Sequence, residues 1–223
     1  ESQIESIVEE ARALRAAQEQ PDSPEALASL PTLDLAEVPR RVRTVPTREW
    51  RADGVAVYEH EVFSNGVGYV GLAFDMSDLD DDSAPWIPIF GKATTGMGAA
   101  GLSYEQMATR MAARTGGVGT SALAGRTIRG GDLYQQLMVD GSVLGRNAGE
   151  LFSIFTDLLA APRPDDQKRL RDILLETASR MTSRLIPAGS MFASMRAAAP
   201  LDAAAWRREQ WGGVTQMRFL NEL

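Results

Sequence analysis

The chain has 223 residues, 44% of them hydrophobic and 24% charged, proportions that exclude a disordered or fibrous protein. At this length a domain buries roughly 70–75% of the surface its unfolded chain exposes, enough for one sizeable core. Cysteine is absent and the formal charge is -7, which excludes disulfides, thiolate metal sites and cysteine nucleophiles, favours an intracellular, cytoplasmic setting, and disfavours nucleic-acid or anionic-membrane binding.

Residues 1–20 read as an amphipathic helix, with Ile4, Ile7, Val8, Ala11 and Leu14 at helical spacing and Glu5, Glu9 and Glu10 on other faces. This acidic opening is unlike a signal peptide, and its first residue, a glutamate, fits a piece of a longer protein. Residues 21–49, punctuated by Pro21, Pro24, Pro31, Pro39 and Pro46, read as an extended connector with one short helical turn near Glu25 to Ser29. The connector ends in the richest basic stretch, Arg40, Arg41 and Arg43 followed by Arg48 and Arg51, which reads as solvated or locally paired. Only Lys92 and Lys168 are lysines, a skew pointing to a GC-rich, bacterial genome.

Residues 50–223 read as the compact body. Val55 to Ser64 and Val67 to Met76 are strand-like and joined by Asn65-Gly66, a strong hairpin signal because a type I′ turn needs positive φ at both central positions. Leu72 and Phe74 share one face and Tyr69, Gly71 and Ala73 the other, so the expectation is a hairpin inside a sheet covered on both sides. A helix is expected from Pro85 to about Thr95, and Ser103-Tyr104-Glu105-Gln106 reads as a capping box opening another that ends at Gly116-Gly117. Val118 to Thr127 and Leu133 to Val139 read as an antiparallel pair around Gly130-Gly131. Two apolar stripes follow at helical spacing, Leu151, Phe152, Phe155, Leu158 and Leu159, then Leu170, Ile173, Leu174, Ala178, Met181 and Leu185. Breaks at Pro187, Pro200 and Gly212-Gly213 separate three further helices. The expected fold is α+β, a two-layer sandwich of a mostly antiparallel sheet with helices, preceded by a linker helix. No apolar run is long enough to span a bilayer.

No residue emerges as catalytic, cofactor-binding or metal-ligating. Catalytic zinc takes three protein ligands, usually including histidine, and His60 is the single histidine. An H-x-x-E-H or H-E-x-x-H helix is therefore impossible within this chain, and His60 reads as a strand-surface residue beside Glu59 and Glu61. No serine sits in a strand–elbow–helix of the G-x-S-x-G type. Asp75, Asp78, Asp80, Asp81 and Asp82 lack the glycine of a calcium hand and read as a solvated loop. Gly96, Gly98 and Gly101 spell G-x-G-x-x-G, but a helix rather than a strand precedes them, so they read as an interhelix turn. Gly91-Lys92 lacks the upstream glycine of a phosphate loop. Met107, Met111, Phe152, Phe155, Phe192 and Trp206 read as core.

Three stretches resemble the pitrilysin/insulinase metallopeptidase family, and within it the presequence-protease subfamily. The first is Gln18-Glu19-Gln20-Pro21-Asp22-Ser23-Pro24, running on to Leu30-Pro31-Thr32-Leu33. The second comprises Asn65-Gly66-Val67-Gly68-Tyr69, Phe74-Asp75-Met76-Ser77, Pro88-Ile89-Phe90, Met97-Gly98, Ser103-Tyr104 and Thr115-Gly116-Gly117-Val118. The third comprises Ser183-Arg184-Leu185-Ile186-Pro187-Ala188-Gly189, Arg196-Ala197-Ala198 and Trp211-Gly212-Gly213.

The resemblance implies four homologous α+β domains in two halves, joined by a hairpin linker and closing around a chamber that admits unfolded peptides. This chain resembles the linker's second arm plus the third domain, which lacks the zinc motif of the first. No family zinc or catalytic residue transfers, because Trp86 to Lys92 contains neither histidine nor glutamate. The implied role is a non-catalytic, substrate-chamber domain of a zinc metalloendopeptidase. Its partners would be the other domains of the same polypeptide and unfolded peptides, with zinc held in the parent's catalytic domain. Two alternatives stay open: a stand-alone inactive homologue serving as a core subunit or peptide-binding module, and a magnesium-dependent carboxylate enzyme using Asp75 to Asp82.

Overall fold

A computed structural model describes residues 2–42 and 44–223; Arg43 of the arginine-rich stretch lies outside the described residues. The chain forms two compact units, Glu1–Val62 and Phe63–Leu223.

The first unit opens with helix α1, Ser2–Glu19, whose Ile4, Ile7 and Leu14 are exposed. Helix α2, Pro24–Ala28, starts where the Ser23 side chain accepts the Ala26 N–H, the N-cap that a serine before proline favours. Strands β1, Arg48–Ala52, and β2, Val55–Glu59, then form an antiparallel hairpin. Asp53 and Gly54 both take positive φ, 48° and 86°, as a two-residue type I′ hairpin requires.

That pairing corrects one expectation. Asn65 and Gly66 do form a tight turn, with φ 52° and 77° and the Val67 N–H donating to Ser64 O at 3.1 Å. The turn does not join two paired strands, because β2 is paired to β1 through Asp53-Gly54 and ends at Glu59.

The second unit is built on a three-stranded antiparallel sheet in the order β3-β6-β5: β3 is Val67–Asp75, β5 is Gly117–Arg126 and β6 is Leu133–Leu144. Between β3 and β5 lie helix α3, Ile87–Gly96, the two-residue strand β4, Gly98–Ala99, and helix α4, Tyr104–Arg114. The capping box forms as expected: Gln106 N–H donates to Ser103 Oγ at 3.3 Å and Ser103 N–H to Gln106 Oε1 at 2.9 Å. After β6 come helix α5, Ala148–Ala160, strand β7, Pro162–Arg163, which pairs with β4, and helix α6, Gln167–Arg184. Three helices close the chain: α7, Gly189–Ala198, α8, Ala203–Gly212, and α9, Val214–Glu222.

Period-two alternation on β6 decides which side of the sheet is covered. Leu137, Val139 and Val143 are buried and face the helices. Leu151 and Phe155 of α5 pack on Val139 and Val143, with Val70 and Leu72 of β3 beside them. Met107, Ile154 and Leu158 form a second cluster, and Ile87, Leu137 and Trp211 a third. Each such side chain contributes about 1.5–3 kcal/mol by leaving water. The architecture is thus α+β, one helical layer against an antiparallel sheet.

The other face of the sheet is open, which corrects the expectation of cover on both sides: Tyr69 is 75% exposed, and Gly71 and Ala73 are exposed too. Two residues expected in the core are also outside it, Phe152 at 53% and Trp206 at 42% exposed. Their helices bury neighbouring positions instead, Leu151 and Ile154 on α5 and Ala204, Ala205 and Trp211 on α8.

Candidate functional site

The open sheet face carries a shallow trough of about 530 Å³, lined by Tyr69, Gly71, Gly117, Gly119, Asp140 and Ser142. Strand register explains its shape. Asp140 lies opposite Gly71 on one side and Gly119 on the other, so two hydrogens flank one carboxylate. At Gly116, at the edge of the trough, a Cβ would stand 2.4 Å from Ser142 Oγ, a contact that no larger residue tolerates without a shift. The floor is therefore mostly backbone, with an acid at its centre and the Tyr69 ring at one end.

The positions weighed from sequence do not converge on this trough. His60, in the first unit, shares a 3.0 Å hydrogen bond between its Nδ1 and Thr47 Oγ1 on an exposed surface. In the acidic loop after β3, Asp75 accepts from the Ser77 hydroxyl and N–H, which hold its carboxyl below the usual range. Asp80 accepts the Ser83 N–H at 2.6 Å, and Asp81 pairs with Arg207 at 2.9 Å. These carboxylates are spent on turns and on one helix contact. No group of three or more metal-binding side chains occurs among the described residues.

The glycine triplet is an interhelix turn. Gly96 ends α3, Gly101 takes φ 81°, and a Cβ on Gly98 would sit 2.3 Å from Leu102 O. Gly91 lies mid-helix, where glycine is normally unfavourable, because α3 presses on β5: a Cβ there would stand 2.8 Å from Thr120 Oγ1. Next to it, Lys92 Nζ donates to Thr177 Oγ1 on α6 at 3.1 Å. Burial pushes the Lys92 ammonium down from its ordinary pKa, Arg180 adds to that shift, and Glu176 opposes it. Helix α3 thus presents a structural lysine and no zinc ligand.

Sequence reasoning missed the trough. Its signal was available in the alternation of small residues at 69–73, 117–121 and 138–142, which reads as a strand face but does not say whether anything covers it.

Over residues 1–223 the chain matches the family model for the region associated with peptidases of family M16, subfamily C. The chain belongs to that family. It is 33% identical over 223 residues to presequence protease 1, chloroplastic/mitochondrial, of Arabidopsis thaliana, covering 98% of this chain and 21% of that protein. It is 30% identical over 195 residues to the mitochondrial presequence protease of Danio rerio, covering 87% of this chain and 19% of that protein. With Protein HypA of Clostridium perfringens it shares 21% identity over 194 residues, 86% of this chain and 20% of that protein. The chain spans about a fifth of the length of the curated relatives it matches. No described helix is long and apolar enough to cross a membrane.

Proposed function

We propose that this chain is a non-catalytic wall domain of a zinc metalloendopeptidase that degrades unfolded peptides. The observation that carries the proposal is the match over 98% of this chain to one fifth of a presequence protease, combined with a sequence of one histidine and no cysteine. A catalytic zinc site needs three protein ligands, so zinc and hydrolysis fall to the remainder of the parent polypeptide. A domain that keeps the α+β framework and lacks the ligands supplies enclosure, and its open sheet face offers peptides a surface of exposed backbone.

The first unit has a matching role. Helix α1 exposes Ile4, Ile7, Val8 and Leu14, an apolar stripe that suits the second arm of an interdomain hairpin packing against other domains of the same polypeptide. Residues 21–49 then act as connector, and residues 50–223 as the wall domain. A cysteine-free chain fits a reducing, intracellular compartment.

Equilibrium dialysis of the 223-residue chain against zinc tests the assignment. The expected result is no stoichiometric zinc retained at micromolar concentration; one tightly held zinc per chain overturns it.

A further inference from the structure

β3 is an outer strand, paired with β6 on one side and with no strand on the other among the described residues. Its register shows which backbone groups are spare. Met76 N–H donates to Gln135 O at 2.8 Å and Gly145 N–H to Gly66 O at 2.9 Å, both in line with the pairing of Val67 with Leu144 through Asp75 with Gln136. Directly bonded pairs alternate with unbonded pairs in an antiparallel ladder. The even-numbered residues of β3 therefore bond to β6, and Tyr69, Gly71, Ala73 and Asp75 turn their N–H and C=O groups outward. All four are exposed.

The two edges of this sheet are treated differently. On β5, the Ala124 carbonyl accepts from Arg208 Nη1 of α8 at 2.9 Å. β3 carries none of the lysines, prolines or bulges that ordinarily blunt an edge. Charge along it is acidic: Asp75 ends the strand and Asp140 lies one strand in, and neither takes part in an ion pair among the described residues.

We propose that the open edge of β3 takes an extended segment of an unfolded peptide as a fourth strand, and that an arginine or lysine of that segment reaches across Gly71 to the Asp140 carboxylate. The inference rests on the reading of this chain as a peptide-facing domain. Strands lie about 4.8 Å apart, so an added strand runs about 10 Å from β6, a gap a long basic side chain spans. Gly71 stands between them and raises no side chain in the path. Tyr69, two residues along on the same face, offers its ring to the passing cation. Main-chain pairing gives affinity with little sequence demand, and the single acid adds a preference for basic segments. Arginine-rich, acid-poor peptides such as organellar targeting segments have that chemistry.

The test titrates the 223-residue chain, by fluorescence anisotropy, into a labelled unstructured Arg/Ser peptide and into its Arg→Gln and Arg→Glu counterparts. The basic peptide is expected to bind best and the acidic one worst. Ala73→Pro removes an outward N–H and leaves the ladder to β6 intact, and is expected to weaken the basic and neutral peptides about tenfold or more. Asp140→Asn is expected to weaken the basic peptide about two- to fivefold and to leave the neutral peptide unchanged. Should Ala73→Pro fail to melt cooperatively, peptides N-methylated at alternate residues block the same pairing, and loss of binding in one methylation phase only is the expected result. Undiminished binding by both variants overturns the inference while peptide contact elsewhere on the chain survives. No binding by the unaltered chain overturns it and removes peptide contact from the wider reading. A dimer that Ala73→Pro dissolves assigns the edge to a second copy and also overturns it.

Discussion

The Glu209 carboxylate accepts the Thr215 N–H at 3.1 Å, so that the end of α8 caps the start of α9. The same oxygen accepts the Thr215 hydroxyl at 3.2 Å and Arg196 Nη1 at 3.3 Å. Glu209 is 0% exposed, and its second oxygen has no partner among the described residues. That oxygen lies where a Cβ on Gly213 would stand, 1.5 Å away. Trp211-Gly212-Gly213 is thus a corner in which the glycine makes room for a buried acid.

Replacing Glu209 with alanine leaves the Thr215 N–H and Arg196 without their acceptor and is expected to cost about 1.5–3 kcal/mol. Gly213→Ala forces the carboxylate aside and is expected to cost about 1–3 kcal/mol or more. Urea unfolding monitored by circular dichroism checks both, through midpoints that fall at unchanged slope.

A mid-helix glycine usually gains about 1 kcal/mol on change to alanine. Gly91 is expected to reverse that sign, because its new methyl group meets Thr120 across the helix–sheet contact, with a cost of about 1–3 kcal/mol. In a Thr120→Ala background the cost should shrink markedly, since the nearest clash is gone. A double-mutant cycle by chemical denaturation reads the coupling.

Lys92 gives the chain an alkaline signature. Its folded-state pKa lies below its unfolded value, so between the two the unfolded chain holds more protons and stability rises with pH. Unfolding free energies measured from about pH 7 towards pH 10.5, the ordinary lysine value, should therefore increase more for the unaltered chain than for Lys92→Met. Parallel curves contradict this role.

How much of this was legible in the sequence depended on whether a signal was local. The Ser103 and Gln106 capping box, the helical stripes of α5 and α6 and the breaks at Pro187 and Pro200 all formed as their spacing required. The partner of β2 was not legible, because two turn dipeptides, Asp53-Gly54 and Asn65-Gly66, flank it and both form. β6 runs to Leu144, five residues beyond the expected end at Val139. Asp140-Gly141-Ser142 looks like a turn, yet Gly141 is in the strand because Leu151 of α5 fills its space, 2.7 Å from where its Cβ would be. Phe152 and Trp206 share the helical spacing of their buried neighbours, and only the packing shows them outside. The trough escaped for the same reason: alternation locates two faces, and cover is a tertiary property.

The central claim is that this chain shapes a peptidase without cutting peptides. Its most direct test is a quenched-fluorescence peptide assay on the pure 223-residue chain, with added zinc and with a chelator. No turnover above the buffer rate is predicted in either condition; robust hydrolysis abolished by the chelator would contradict the claim.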